Sequence, residues 1–222
     1  MKLLFIGSET IFNGLVATLP DSVICKHSHR AVDDNENYHV VFDALFDERP
    51  ELSPGFIYPT THLIIGAAVK RKLSDSTALL EKHLASPCIG MNMLPAFVNS
   101  KIKEISFNDA DAQKRFAALA ITWQSDYKTA TDSVGMVAPR VLAMVINEAA
   151  RTLEENTATK EDIDKGMELG TGYPKGPLKW CDEIGASHIT DVLQALHETT
   201  KDERYRVAPL LTAMRQSRGT FY

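Results

Sequence analysis

The chain has 222 residues, a formal net charge of −5 and 44% hydrophobic residues, a balance typical of a globular protein with one or two domains. The negative charge and the lack of a basic stripe with interleaved aromatic residues argue against a nucleic-acid-binding protein. Three widely spaced cysteines, an odd number, favour neither a disulfide framework nor a zinc site. No stretch approaches the roughly 20 apolar residues of a membrane helix, so we expect no membrane insertion and a cytoplasmic location.

Short apolar runs in the first part of the chain predict the strands of a parallel sheet. These runs are residues 3–6, 23–25, 39–42, 62–69, 88–93 and 102–107. Polar loops are predicted at 27–38 and 50–59. Helices are predicted at 15–19, at 74–84 with Ser74 as the cap, and from a cap at Asn108 or Asp109 through Phe116 to Trp123. Apolar strands alternating with helices indicate a sheet covered on both faces.

Helical patterns replace strands in the second part of the chain. Apolar residues between 141 and 153 cover more than one face of a predicted helix, which is typical of a helix packed against several partners, another chain included. Thr159 and Asp162 have the spacing of a capping box, residues 170–180 form a Gly- and Pro-rich turn, and Ser187 is the expected cap of a further helix. The predicted domains are therefore α/β over residues 1–133 and all-α over residues 134–222.

Three stretches of the second domain carry a family resemblance. They read Gly-Met-Val-Ala-Pro-Arg-Val-Leu at 135–142, Ala-Thr-Lys-Glu-Asp-Ile-Asp at 158–164 and Tyr-Pro-Lys-Gly-Pro-Leu-Lys-Trp-Cys-Asp-Glu-Ile-Gly at 173–185. The chain here resembles the C-terminal domain of 3-hydroxyacyl-CoA dehydrogenases. The resemblance implies an N-terminal Rossmann domain that holds NAD, followed by a helical domain that mediates dimerisation and closes over acyl-CoA. We therefore expect a Rossmann-like parallel sheet, a helical dimerisation domain and a homodimer.

The expected cofactor turn departs from the family pattern. Gly7 and Gly14 remain of the glycine fingerprint, but Glu9 stands where the pyrophosphate needs a glycine, and Phe12 stands where close helix–strand packing needs one. Residues 26–29, Lys-His-Ser-His, replace the acidic residue that would bind the ribose hydroxyls. The region is also shorter than the usual dinucleotide-binding domain by roughly forty residues. We expect a truncated, degenerate NAD-binding domain that binds no cofactor, with Gly7 and Gly14 as non-functional remnants.

The catalytic segment departs as well. The family's catalytic His falls on Asn92, its orienting Glu falls on Glu104, and an active-site Asn falls on Pro139. Residues 68–72, Ala-Val-Lys-Arg-Lys, replace a polar Ser-Asn-Thr-Ser-Ser stretch that helps bind the reacting oxygen. Asn92 cannot take up a proton at neutral pH, and loss of a general base typically costs about 10²–10⁴ in rate. We predict that NAD-dependent hydride chemistry is lost.

Other interpretations stay open at this point. The chain is an inactive homodimer that keeps acyl-CoA or partner binding, an oxidoreductase with residual 3-hydroxyacyl-CoA dehydrogenase activity in fatty-acid metabolism, or a scaffold that pairs with a full-length relative. The basic triplet at 70–72 is either a solvated loop or a contact for CoA phosphates. His27 and His29 would supply half of a metal site, but no nearby ligand completes the spacing, so we predict no metal.

Overall fold

The computed structural model describes residues 1–29, 37–48, 58, 61–84 and 86–222. The chain divides into two compact units, Met1–Met136 and Val137–Tyr222. Within these described ranges, no helix is long and apolar enough to cross a membrane. Most of the two predicted loops at 27–38 and 50–59 lies outside the described residues.

The first unit is built on a seven-stranded sheet with the order β2-β1-β3-β4-β5-β6-β7. Its strands are β1 (Lys2–Ile6), β2 (Ile24–Ser28), β3 (Val40–Asp43), β4 (Leu63–Ala67), β5 (Cys88–Met91), β6 (Ile102–Phe107) and β7 (Asp126–Thr129). Strands β1 to β5 are parallel, β6 is antiparallel to β5, and β7 is parallel to β6. Because β2 and β3 lie on opposite sides of β1, the strand order reverses there, and such a switch point opens a crevice at the carboxyl edge.

The described residues of this unit form three helices that cover the sheet: α1 (Glu9–Val16), α2 (Leu73–Leu79) and α3 (Ala110–Trp123), with a 3₁₀ turn at Glu81–His83. Side chains alternate across the sheet, as the two-residue period of a strand requires. Phe5 and Phe42 belong to one buried cluster with Trp123 of α3, whereas Leu4 and Val41 belong to another on the opposite face. The predicted cap Asp109 is confirmed, since its carboxylate accepts from Ala112 N at 2.7 Å.

Four local predictions in this unit are wrong. Helix α1 begins at Glu9 rather than at residue 15, because Ser8 caps it by accepting from Ile11 N. Strand β2 continues to Ser28, so no loop begins at residue 27. Ser74 is not the cap of α2, because a carboxylate 58 residues further along the chain, that of Asp132, accepts from the first two N–H groups of the helix. Strand β7 was not predicted, since it is an edge strand with mostly exposed residues and no apolar run.

The second unit is a bundle of five helices in its described residues: α4 (Ala138–Glu154), α5 (Lys160–Thr171), α6 (Pro177–Ile184), α7 (Ala186–Thr200) and α8 (Pro209–Ser217). Helix α4 contacts the other four. The predicted N-cap Thr159 is confirmed, since its Oγ1 accepts from Asp162 N at 3.2 Å and donates to Asp162 Oδ2 at 2.8 Å. Ser187 is not the cap of α7, because the helix begins one residue earlier, after Gly185 at φ +97°. The predicted change from α/β to all-α is confirmed.

Candidate functional site

Gly7 begins the turn between β1 and α1 at the carboxyl edge of the sheet. Its φ is +149°, and a Cβ atom added there would lie 2.8 Å from the Cβ of Ala44, so conformation and space both require glycine. Gly7 N donates to Ser28 O at 2.9 Å. Its carbonyl oxygen lies 2.9 Å from Nε2 of His27. Both polar backbone groups of Gly7 are thus bonded to the end of β2.

The other fingerprint positions lie on α1. Glu9 is exposed at the first helical position, where its negative charge interacts favourably with the positive end of the helix dipole. Phe12 is partly buried and packs against the core. A Cβ added to Gly14 would lie 2.8 Å from Cγ1 of Val98, so Gly14 permits close packing of α1 on the segment after β5. Local packing and backbone conformation are therefore sufficient to explain why glycine stands at positions 7 and 14.

Residues 68–72 are held by carboxylates of the same unit. One oxygen of Asp47 accepts from Val69 N and from Lys70 N, both at 2.7 Å. Burial raises the pKa of Asp47, while those two N–H groups and the Lys70 ammonium act in the opposite direction. The Lys70 side chain is 11% exposed and its Nζ lies 2.5 Å from Oε1 of Glu48. Lys70 of the basic triplet is thus paired within the protein.

Asn92 and Glu104 lie side by side at the junction of β5 and β6. Asn92 N donates to the carbonyl oxygen of Glu104 at 3.0 Å, and Asn92 Nδ2 donates to Glu104 Oε2 at 3.5 Å. Asn92 Oδ1 accepts from Leu94 N at 3.3 Å, and the residue is 4% exposed. The structure brings these two predicted residues together. The amide occupies the place expected for an imidazole but has no atom that takes up a proton near pH 7.

Pro139 lies in the second unit and is described within it. It is buried in the first turn of α4, where its fixed φ is compatible with the helix. A backbone N–H in this turn would have no acceptor within the helix, so proline forfeits no helical hydrogen bond there. The next residue, Arg140, donates from Nε and a terminal nitrogen to the Tyr205 hydroxyl at 3.1 and 2.6 Å. Pro139 therefore serves as a helix start and offers no polar side chain.

Sequence reasoning missed three of the residues that shape this edge. His27 was expected in a loop, but it is bonded to Gly7. Asp47 carried no signal, because its partners follow 22 and 23 residues later. Lys103 was counted as part of a strand only, yet its Nζ is buried and donates to Val98 O at 2.6 Å. The described part of the chain contains no group of three or more His, Cys, Asp or Glu residues placed to hold a metal ion.

Known proteins are similar to the second part of the chain. Residues 135–219 match the family model of the 3-hydroxyacyl-CoA dehydrogenase C-terminal domain. The 3-hydroxyadipyl-CoA dehydrogenase of Escherichia coli K12 is 42% identical over 80 residues, which are 36% of this chain and 17% of that protein. Residues 135–219 are therefore similar to the C-terminal domain of 3-hydroxyacyl-CoA dehydrogenases. A second relative, the 3-hydroxybutyryl-CoA dehydrogenase of Bradyrhizobium diazoefficiens, is 37% identical over 112 residues, 50% of this chain and 37% of that protein.

Solved structures extend the likeness in fold to the first unit. The crystal structure of FadB2 from M. tuberculosis superposes with a TM-score of 0.72 at 16% identity, covering 99% of this chain and 97% of the other, which shows the fold. The 3-hydroxybutyryl-CoA dehydrogenase of Escherichia coli K12 is 26% identical with a TM-score of 0.61, covering 75% of this chain and 34% of the other. The matched regions span only 17% and 37% of the two curated relatives named above.

Proposed function

We propose that this chain is a 3-hydroxyacyl-CoA dehydrogenase-like homodimer without NAD-dependent catalysis, which keeps a role in binding acyl-CoA or a protein partner. The carrying observation is the pairing of Asn92 with Glu104. Oxidation of a hydroxyl needs a base with a pKa near the working pH, held in place by a carboxylate. The carboxylate and its hydrogen bond remain, whereas the proton acceptor is replaced by an amide.

The turn after β1 does not fit the pyrophosphate of a dinucleotide. Such a turn lets bare backbone approach two phosphates at a helix N-terminus. Glu9 brings a side chain and a negative charge to that end of α1, and Phe12 brings an aromatic ring one turn later. We therefore derive no hydride-transfer step for this chain.

The proposed dimer contact lies on the second unit. Val137 and Val141 are 61% and 54% exposed on α4, and Val145, a further four residues on, lines a groove of about 430 Å³ between α4 and α5. Ile163 and Met167 of α5 line the same groove. Residues four apart lie on one helix face, and a continuous apolar surface of this kind is typical of an interaction site. A second copy of this chain is the occupant that the family resemblance implies.

Residual dehydrogenase activity is the alternative function. The retained carboxylate of Glu104, still in contact with residue 92, favours it. A full-length relative in place of the second copy is the alternative partner.

Turnover and binding separate these functions. The whole chain is mixed with NADH and acetoacetyl-CoA, and the 3-hydroxybutyryl-CoA dehydrogenase of Escherichia coli serves as the positive control. Binding of each ligand to the chain is also measured by calorimetric titration. We expect the rate of NADH oxidation to equal that of buffer alone. This expectation holds whether or not the calorimetric titration detects binding of acetoacetyl-CoA. Robust oxidation that Glu104→Gln abolishes would refute the proposal and establish the dehydrogenase.

A further inference from the structure

His27 joins the end of β2 to the turn between β1 and α1. Its Nε2 lies 2.9 Å from the carbonyl oxygen of Gly7, and because a carbonyl oxygen only accepts, Nε2 carries the proton. Its ring stacks on Phe12 of α1 with 4.7 Å between centroids and 9° between planes. The same ring lies 5.9 Å from that of Phe5 in the core and meets the edge of His29 at 4.6 Å. Four residues thus hold one imidazole in place.

These contacts cross the path of a dinucleotide. In a Rossmann-type fold the pyrophosphate lies at the N-terminus of the first helix, and the adenosine ribose reaches the end of the second strand. The His27 ring begins on β2, bonds to the turn at Gly7 and ends against α1. It therefore lies between the two elements that the cofactor would bridge.

We propose that His27 closes the dinucleotide site from within, its ring taking the adenosine side while Glu9 supplies the negative charge at the helix end that a pyrophosphate would supply. The inference rests on the proposed function, since it names the residues that exclude the family's cofactor. It makes a separate claim, because the proposed loss of catalysis rests on Asn92 in place of the general base. The site should thus be recoverable for binding without recovering turnover.

A reopened variant tests the claim. It carries Glu9→Gly, Phe12→Ala and His27→Ala in the whole chain, and its matched control carries Glu9→Gly, Phe12→Ala and His29→Ala, which keeps the His27 ring. Both are titrated with NADH and with ADP-ribose by calorimetry. We expect the reopened variant to bind NADH and ADP-ribose at least about tenfold more tightly than the control variant and the wild type do. Equal affinities of the two variants, or saturable NADH binding by the wild type, would overturn the role of His27.

The wild type provides an independent measurement if the reopened variant does not keep the wild-type circular dichroism and thermal transition. NMR should detect cross-relaxation between the ring protons of His27 and Phe12 and a slowly exchanging Nε2–H proton, both unchanged by millimolar NADH. Their absence, or their loss on adding NADH, would overturn the inference. NADH binding by the wild type without oxidation would overturn this inference and leave the proposed function standing, whereas NADH oxidation would refute both, so the two failures are distinguishable.

Discussion

Lys103 and Glu104 are neighbours on β6 with different surroundings. Lys103 is 6% exposed, and its ammonium donates to Val98 O and to Thr18 Oγ1 inside the unit. Burial lowers the pKa of Lys103 to about 8 from its ordinary 10.5, because a poorly solvated ammonium is disfavoured. Glu104 is partly exposed and contacts Asn92. Burial of the Lys103 ammonium is therefore unfavourable for folding, whereas the Glu104 carboxylate belongs to the candidate site.

We expect Lys103→Met to remove a rise in wild-type stability between pH 8 and 10.5. In that window the unfolded chain still holds the lysine proton that the folded chain has released, so stability increases with pH. Cys88 and Cys181, whose pKa values burial raises to about 12, lower the stability of both proteins above pH 9. Because the thiols affect both proteins equally, their contribution cancels when the urea midpoint of the variant is subtracted from that of the wild type. A difference that is the same near pH 7 and near pH 10 would contradict the prediction.

Asn147 is a residue of the second unit whose side chain bonds to distant backbone. It is 2% exposed on α4, its Oδ1 accepts from Ala208 N at 2.8 Å and its Nδ2 donates to Arg206 O at 3.0 Å. Asn147→Ala leaves the buried N–H of Ala208 without its acceptor, which should cost about 1–3 kcal/mol of the free energy of unfolding. Thr152→Ala on the same helix is the control, expected within about 0.5 kcal/mol. Similar losses in urea unfolding would refute the assignment.

Helix α4 shows how one element serves two surfaces. Its buried face, with Ala143, Ile146 and Ala150, packs inside the second unit. A separate stripe, containing Val141 and Val145, lies outside that core. This division is the physical reason why apolar residues between 141 and 153 exceed one helix face.

Two glycines of α5 provide a matched test of the proposed dimer surface. Gly166 lines the groove between α4 and α5, Gly170 lies one turn later outside it, and a Cβ at either position meets no atom within 4 Å. We expect sedimentation velocity to show dimers for wild type and Gly170→Lys but monomers for Gly166→Lys, because a long side chain in the groove keeps a second copy from packing there. Dimers of both variants would exclude this groove. A monomeric wild type that associates with a full-length relative would favour the scaffold interpretation.

The three cysteines report on the whole molecule. Cys25 is partly buried on the edge strand β2, Cys88 is buried in the first unit and Cys181 is buried in the second. Burial raises the pKa of all three thiols, that of Cys88 and that of Cys181 to about 12. A thiol reacts as its thiolate, so buried thiols become reactive only when the surrounding unit opens.

We expect an aromatic disulfide reagent to modify one thiol per native chain, slowly, and three in concentrated urea. Cys25→Ser should abolish the native reaction and leave two in urea. Reaction of a second thiol in the native chain would show that one of the two cores is open. In a urea series, Cys88 and Cys181 would report the opening of their units separately.

The sequence by itself determined the parts of this protein that depend on near neighbours. The apolar runs predicted six of the seven strands, the spacing of Thr159 and Asp162 predicted the N-cap at Thr159, and the change of pattern after residue 133 predicted an all-α second domain. That Asn92 replaces the catalytic His stays a prediction, which rests on the family pattern of the residues around it. The strand and capping predictions are correct because the spacing of buried residues and the capping of helices depend on residues only a few positions apart.

Only the tertiary structure decided how the carboxyl edge of the sheet is built. His27 bonds to Gly7 across 20 residues, Asp47 holds Val69 across 22, and Asp132 holds Leu73 across 59. No period or local motif relates such pairs, since parallel strands bring distant segments together through long connections. The sequence predicts which residues replace the catalytic and cofactor-binding residues of the family, and the fold shows what those residues contact.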